Sequence, residues 1–472
     1  MSMIMGMRGF LTSSIGATSL GVTCAAALAL PSALPAAAAS VPAARTAATG
    51  RPPGSPVPGS TQSLPLVPLS GDRALGPASE QGLYRVDVEH FSLVGVVWDD
   101  PGSELEGRVQ VRNRSAATGR WSGWQDVETH NEDHGADPDT PEGASDRVHG
   151  ATAPLWVGDS DGVDVRVVPG SGTNAVPGAP NGRTGDPTPP LPQGLRLELV
   201  DPGDDPGDGT AGPPVDVPRT GSETGATAAA YEADADLAPF GAREIPELSR
   251  RETERELGRL QLQGAASHTK YIGPRPRIVT RRGWGADESL RKGGFAYTKK
   301  IKAAFVHHTA SGNNYSCAQA PSVIRGIYRY HVKSMGWRDL GYNFLVDKCG
   351  TIYEGRAGGA AKAVRGAHTL GFNNNSMGVA VIGSFSSAKP PGAAVRAIAR
   401  LTAWKLGIYG GNPRGKTYLK SGGGNLYAKG KNVRLNVISG HRDGYSTSCP
   451  GKRLYAKLGT ARSSAARYQG RH

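Results

Sequence analysis

Lys302-Ala303-Ala304-Phe305-Val306-His307-His308-Thr309 is a short apolar run ending in two adjacent histidines. It reads as a strand, and side chains on a strand alternate faces, so His307 and His308 cannot both point to one site. Downstream, Ile324, Ile327, Tyr328 and His331 recur at helical spacing between Ile324 and Lys333. Gly336 to Val346 then runs from a turn into a buried strand, and Gly350-Thr351-Ile352-Tyr353-Glu354-Gly355-Arg356 reads as a hairpin-like pair. A turn at Gly371–Ser376, a strand at Met377–Gly383 and a helix from Ala393 to Leu406 follow. Strand and helix signals in alternation predict an α/β domain over residues 276–472, a mixed central β-sheet flanked by helices.

Upstream the pattern changes. Residues 83–200 carry short runs such as Tyr84–Val88, Phe91–Trp98, Glu106–Arg112, Gly162–Val168 and Leu195–Val200, separated by Gly and Pro. Alternation with period two predicts an all-β, sandwich-like domain. It is interrupted by an acidic low-complexity insert near 128–148 and a Gly/Pro-rich one near 169–192. Trp121, Trp124 and Trp156 read as core residues rather than a sugar-stacking face. Residues 40–80 read as a disordered Ala/Pro-rich lead, and 201–275 as a Gly/Pro/Asp-rich linker with a short charged helix around Ile245–Gln263.

The N-terminus reads as an export signal over residues 1–39. Arg8 supplies a positive charge, an apolar stretch includes Gly21–Leu30, and Pro35-Ala36-Ala37-Ala38-Ala39-Ser40 offers a small-residue cleavage site after Ala39. No later segment is apolar enough to span a bilayer. The expectation is a secreted monomer with no stable membrane insertion. Charge divides the chain: Tyr271–His472 holds 34 Lys+Arg against 6 Asp+Glu, and the first 270 residues hold 20 against 35. A basic domain faces a polyanion, and nucleic acid, anionic lipid and anionic wall polymers all fit on charge alone. Export and the lack of a nucleic-acid motif exclude nucleic acid.

Removal of the signal leaves Cys317, Cys349 and Cys449, an odd number that assigns one thiol another task. His307, His441 and Cys449 make a plausible catalytic zinc set: two imidazoles and a thiolate, with a fourth place left for water. Cys317 and Cys349 are then free to pair as a disulfide. A His and a Cys eight apart fit no common short zinc motif, so spacing alone does not decide the matter.

Ile278 to Leu458 resembles the peptidoglycan recognition protein family and the related phage-lysozyme type amidases. The resemblance rests on Arg282-Gly283-Trp284-Gly285, Val306-His307-His308-Thr309, Gly336-Trp337-Arg338-Asp339-Leu340-Gly341-Tyr342-Asn343-Phe344, Gly350–Arg356, Gly366-Ala367-His368, Gly440-His441-Arg442-Asp443 and Cys449-Pro450-Gly451. The resemblance implies His307, His441 and Cys449 as ligands of Zn2+. It implies Tyr342 and Thr447 as catalytic residues, and hydrolysis of the amide between N-acetylmuramic acid and L-alanine in peptidoglycan. It also places His368 in the substrate groove. Trp337 and Asn374 are further candidates for substrate contact. Binding of peptidoglycan without cleavage is the alternative, and the intact ligand set argues against it. The Cys317–Cys349 pairing departs from the family's usual short-loop disulfide. His308 reads as packing behind the site, Glu354 as an exposed hairpin carboxylate, and Arg338 with Asp339 as a structural turn.

Overall fold

The computed structural model describes residues 59–69, 80–85, 87–129, 133–170, 189–205, 225–260, 262, 264–265 and 271–472. The expected export signal lies outside them. Nine strands build the first sheet: β1 (Thr61–Pro65), β2 (Val67–Pro68), β3 (Gln81–Arg85), β4 (Phe91–Trp98), β5 (Gly107–Ser115), β6 (Gln125–Val127), β7 (Gly150–Ala151), β8 (Leu155–Pro169) and β9 (Arg196–Val200). They run β1-β9-β4-β8-β3-β2, with β5 on β8, β6 on β5 and β7 on β4, all antiparallel. The long strand β8 pairs with β4 through its first half and with β3 and β5 through its second. The sheet thereby wraps one core containing Val94, Val96, Val109, Val111, Val163, Val165, Leu197 and Leu199. Strands β1 and β2 correct the expectation of a disordered lead, since Thr61–Pro65 is in register with Arg196–Val200. Trp121 corrects another: it is 37% exposed, and Arg112 stacks on both it and Trp124. Trp156 is buried as expected.

The second sheet comprises β10 (Glu244–Ile245), β11 (Ile278–Val279), β12 (Ala303–His308), β13 (Phe344–Val346), β14 (Ile352–Glu354), β15 (Ser376–Val381) and β18 (Ile438–Gly440), with β16 (Lys416–Lys420) and β17 (Asn432–Asn436) as a separate hairpin. Its order is β10-β11-β14-β13-β15-β12-β18. The pairs β13·β15, β15·β12 and β12·β18 are parallel, and β13·β14 is antiparallel. The helices are α1 (Gly225–Glu232), α2 (Arg250–Arg259), α3 (Arg281–Trp284), α4 (Ala320–Arg329), α5 (Gly392–Ile408), α6 (Lys452–Tyr455) and α7 (Leu458–Tyr468). One sheet face packs Ala304, Val306, Val379 and Val381 against Ile398 and Leu401 of α5 and Ala461 of α7. The other packs Leu345, Ala380 and Ile382 against Ile324 and Ile327 of α4. Part of the expected linker belongs to this domain, because Leu237, Ile245, Leu257 and Ile272 are buried in its core. A capping box of Ser249 and Glu252 starts α2.

Strand β4 explains how the two sheets meet. Phe91-Ser92-Leu93-Val94-Gly95-Val96-Val97-Trp98 is apolar on both faces, as a strand buried on both sides must be. Val94, Val96 and Trp98 enter the first core. Leu93 and Val97 point the other way, into a cluster with Ile324, Ile327 and Tyr330 of the second domain. Each such side chain, fully buried, contributes about 1.5–3 kcal/mol. Gly95 sits between them, where any Cβ would collide with the Tyr330 hydroxyl. That hydroxyl donates to the Thr152 carbonyl at 3.1 Å.

Candidate metal centre

Strand β12 is central and β18 lies beside it in parallel register, Val306 opposite Gly440. The C-terminal ends of adjacent parallel strands are where open α/β sheets gather ligands. His307 is near the end of β12, and His441 directly follows β18. The loop after His441 folds back: Arg442 N–H donates to the Cys449 carbonyl at 3.0 Å, and Cys449 N–H donates to Thr447 Oγ1 at 3.1 Å. This closure delivers Cys449 Sγ to 3.8 Å from His307 Nδ1. All three side chains are buried.

A fourth residue joins them from the other domain. His134, on the acidic insert, offers a ligand atom that lies with those of His307, His441 and Cys449 within a mutual 4.8 Å. Its Nε2 and the Nδ1 of His441 are buried without any hydrogen-bond partner. Leaving such a nitrogen unsatisfied costs about 1–3 kcal/mol. Two orphaned imidazole nitrogens beside a buried thiol suit a borderline cation that takes nitrogen and sulfur. Burial, followed by the neighbouring histidines, pushes His307 well below the usual imidazole pKa. Burial brings His441 to about 3, against the pull of Asp133. Both rings are therefore neutral and fit to ligate. Burial pushes the Cys449 thiol up, so that only a cation at its sulfur would make it a thiolate.

His368 stands behind His307. It is fully buried, with Nδ1 3.3 Å from His307 Nε2 and Nε2 3.4 Å from Ser376 Oγ, while Ser376 donates to the Phe372 carbonyl. One tautomer assignment satisfies the chain: His307 Nε2–H donates to His368 Nδ1, and His368 Nε2–H donates to Ser376. The ring therefore holds the imidazole of His307 in one orientation. Asn374 is exposed and accepts from Thr298 Oγ1 at 2.6 Å, away from the centre. Its neighbour Asn373 is the buried one, accepting from the His368 and Thr369 amides. Trp337 is buried against His331, with ring centroids 4.5 Å apart. Tyr342 is buried with its ring 5.4 Å from that of His307 and 5.7 Å from that of His134. Burial, then Cys449 and Asp133, raises the pKa of its phenol. Glu354 corrects its expected exposure: it is buried, and one carboxylate oxygen accepts from the Arg281 amide at 3.2 Å. Asp339 pairs with Arg281, which also binds Glu288. His308 faces the opposite side from His307, where its Nδ1 accepts from Phe385 N–H. Cys317 and Cys349 are joined as a disulfide.

His134 was the residue sequence reasoning missed. Its only local signal is Asp133-His134-Gly135-Ala136-Asp137, a polar, Gly-containing stretch that looks like a solvated loop.

Fold and site together define the class, a mixed α/β domain with a candidate histidine–cysteine metal centre at its strand ends. Residues 297–452 match the N-acetylmuramoyl-L-alanine amidase family. The C-terminal domain belongs to that family, on the side it shares with peptidoglycan recognition proteins. Residues 44–190 match a family described as Rv3811 N-terminal galactose-binding domain-like. Peptidoglycan-recognition protein SC2 of Drosophila simulans is 29% identical over 185 residues, 39% of this chain and 85% of that one. Peptidoglycan-recognition protein SA of Drosophila melanogaster is 34% identical over 129 residues, 27% of this chain and 60% of that one. Among solved structures, wild-type Drosophila PGRP-LB is 26% identical, covering 39% of this chain and 92% of that one, with a TM-score of 0.30.

Proposed function

We propose that this protein is an exported, zinc-dependent N-acetylmuramoyl-L-alanine amidase that acts on peptidoglycan at the cell wall. The observation that carries the reading is the convergence of His307, His441 and Cys449, with unpartnered imidazole nitrogen turned inward. Zinc held there supplies Lewis acidity and a bound water that ionises near neutrality. The chain's own residues do the rest. His368 fixes the ring of His307 through the Nε2 bond. Tyr342, kept protonated by burial, is the donor to the oxyanion that develops on the lactyl carbonyl. Thr447 Oγ1 braces the Cys449 amide and holds the loop that presents the thiol. The excess of basic residues in the C-terminal domain favours an acidic wall polymer. Among the described residues no helix is long and apolar enough to cross a membrane.

Mass spectrometry of muropeptides after digestion tests the reading. The expected products are muramic acid with a free lactyl group and peptides with a free L-alanine amine, both lost on chelation. A cleaved sugar linkage, or no chelator-sensitive product from any form of the protein, refutes it.

A further inference from the structure

The amidase reading requires an open coordination place, and the structure sets His134 beside the three residues that would hold the metal. Catalytic zinc sites keep three protein ligands, whereas four close the site. Building on that reading, we propose that residues 133–148 of the N-terminal domain are an internal inhibitor. His134 is the fourth ligand, and the acidic side chains around it occupy the substrate groove.

Each contact of the insert is specific. His134 Nδ1 is held by Asp133 Oδ1 at 2.7 Å, which leaves Nε2 facing the other three ligands. The Asp133 carbonyl accepts from His441 Nε2 at 3.1 Å and from the Leu370 amide at 3.1 Å. Asp137 accepts from the Gly371 amide at 2.8 Å and from Asn373 Nδ2 at 2.9 Å. Glu142 takes both guanidinium nitrogens of Arg356 at 2.8 Å, and both partners are buried. Gly336 has φ of +76°, and a Cβ there would collide with the Arg147 carbonyl of the insert. Acidic side chains thus meet donors on the basic domain, in the charge sense that an acidic wall polymer would use. A solvated spacer loop has no reason to bury Asp133, Asp137 and Glu142 together. The full chain is therefore latent, and activation is withdrawal of this segment.

Cobalt-substituted full-length protein tests this without relying on turnover. Visible absorption reports the coordination sphere, and azide probes for an open place. The wild-type spectrum is expected to ignore azide, while His134→Ala is expected to titrate with it. His134→Ala is also expected to release lactyl ends about tenfold faster or more, because apparent activity scales with the open fraction. Should His134→Ala not fold, Glu142→Gln loosens the insert from Arg356 without touching a ligand, and it too is expected to admit azide. Azide entering wild type as readily as the variants overturns the inhibitor and leaves the amidase reading intact. A His134→Ala protein that admits azide yet releases no lactyl ends overturns the amidase reading while keeping His134 as fourth ligand.

Discussion

His368→Ala separates two readings of one residue. The motif suggested a groove wall, whereas the structure puts the ring behind His307. Removing it leaves His307 Nε2 with Thr369 Oγ1 at 3.4 Å as its remaining neighbour, so the ligand ring loses its orienting acceptor. Loss of such an outer partner costs about 10–100-fold in metal affinity, which is about 1.4–2.7 kcal/mol. The buried imidazole also leaves a void, so the melting temperature falls as well. Zinc affinity is measured by competition with a chromophoric chelator, on protein shown to be folded by circular dichroism. The expected result is a weaker zinc dissociation constant by that factor. An unchanged zinc affinity with a raised KM for peptidoglycan fragments refutes the ligand-orienting role and restores the groove.

Tyr342→Phe removes one oxyanion donor and is expected to lower kcat about 10²–10³-fold, with zinc content unchanged by atomic absorption. Equal loss of zinc refutes the assignment. Burial brings Lys405 to about 7 despite Asp234 and Glu354 nearby, so between there and its unfolded pKa near 10.4 the unfolded chain binds more protons. Stability of the wild type relative to Lys405→Met therefore rises with pH across that window, and parallel melting curves from pH 6 to 10 would contradict it. Gly95→Ala drives a methyl into the Tyr330 hydroxyl and is expected to cost about 1–3 kcal/mol, read from urea unfolding of the whole chain. A neutral result means the seam is looser than its packing implies.

The pieces around the site were legible locally, but His307, His441 and Cys449 were grouped through the resemblance, because a His and a Cys eight apart fit no short zinc motif. His307 ends an apolar strand, and His441 and Cys449 flank one short loop whose backbone closes on itself. Strand β4 was equally legible as a strand, but its second apolar face, Leu93 and Val97, was the mark of an interface. Residues 61–68 were unreadable because a five-residue strand carrying Pro65 has little pattern of its own and is defined by pairing with β9. The depth of His368 and Asn374 was unreadable because a motif names residues without it, and one position along a turn exchanges a buried amide for an exposed one.

From residues alone came the two fold classes and the division of charge, since periodicity and composition are properties of contiguous chain, and the resemblance added three of the four side chains that converge. Packing alone decided that His134 lies beside His307, His441 and Cys449 and that Asp137 and Glu142 of the insert meet Gly371, Asn373 and Arg356. That outcome depends on two sheets sharing one apolar seam, and no stretch of sequence encodes the distance between its own loops and another domain's cleft.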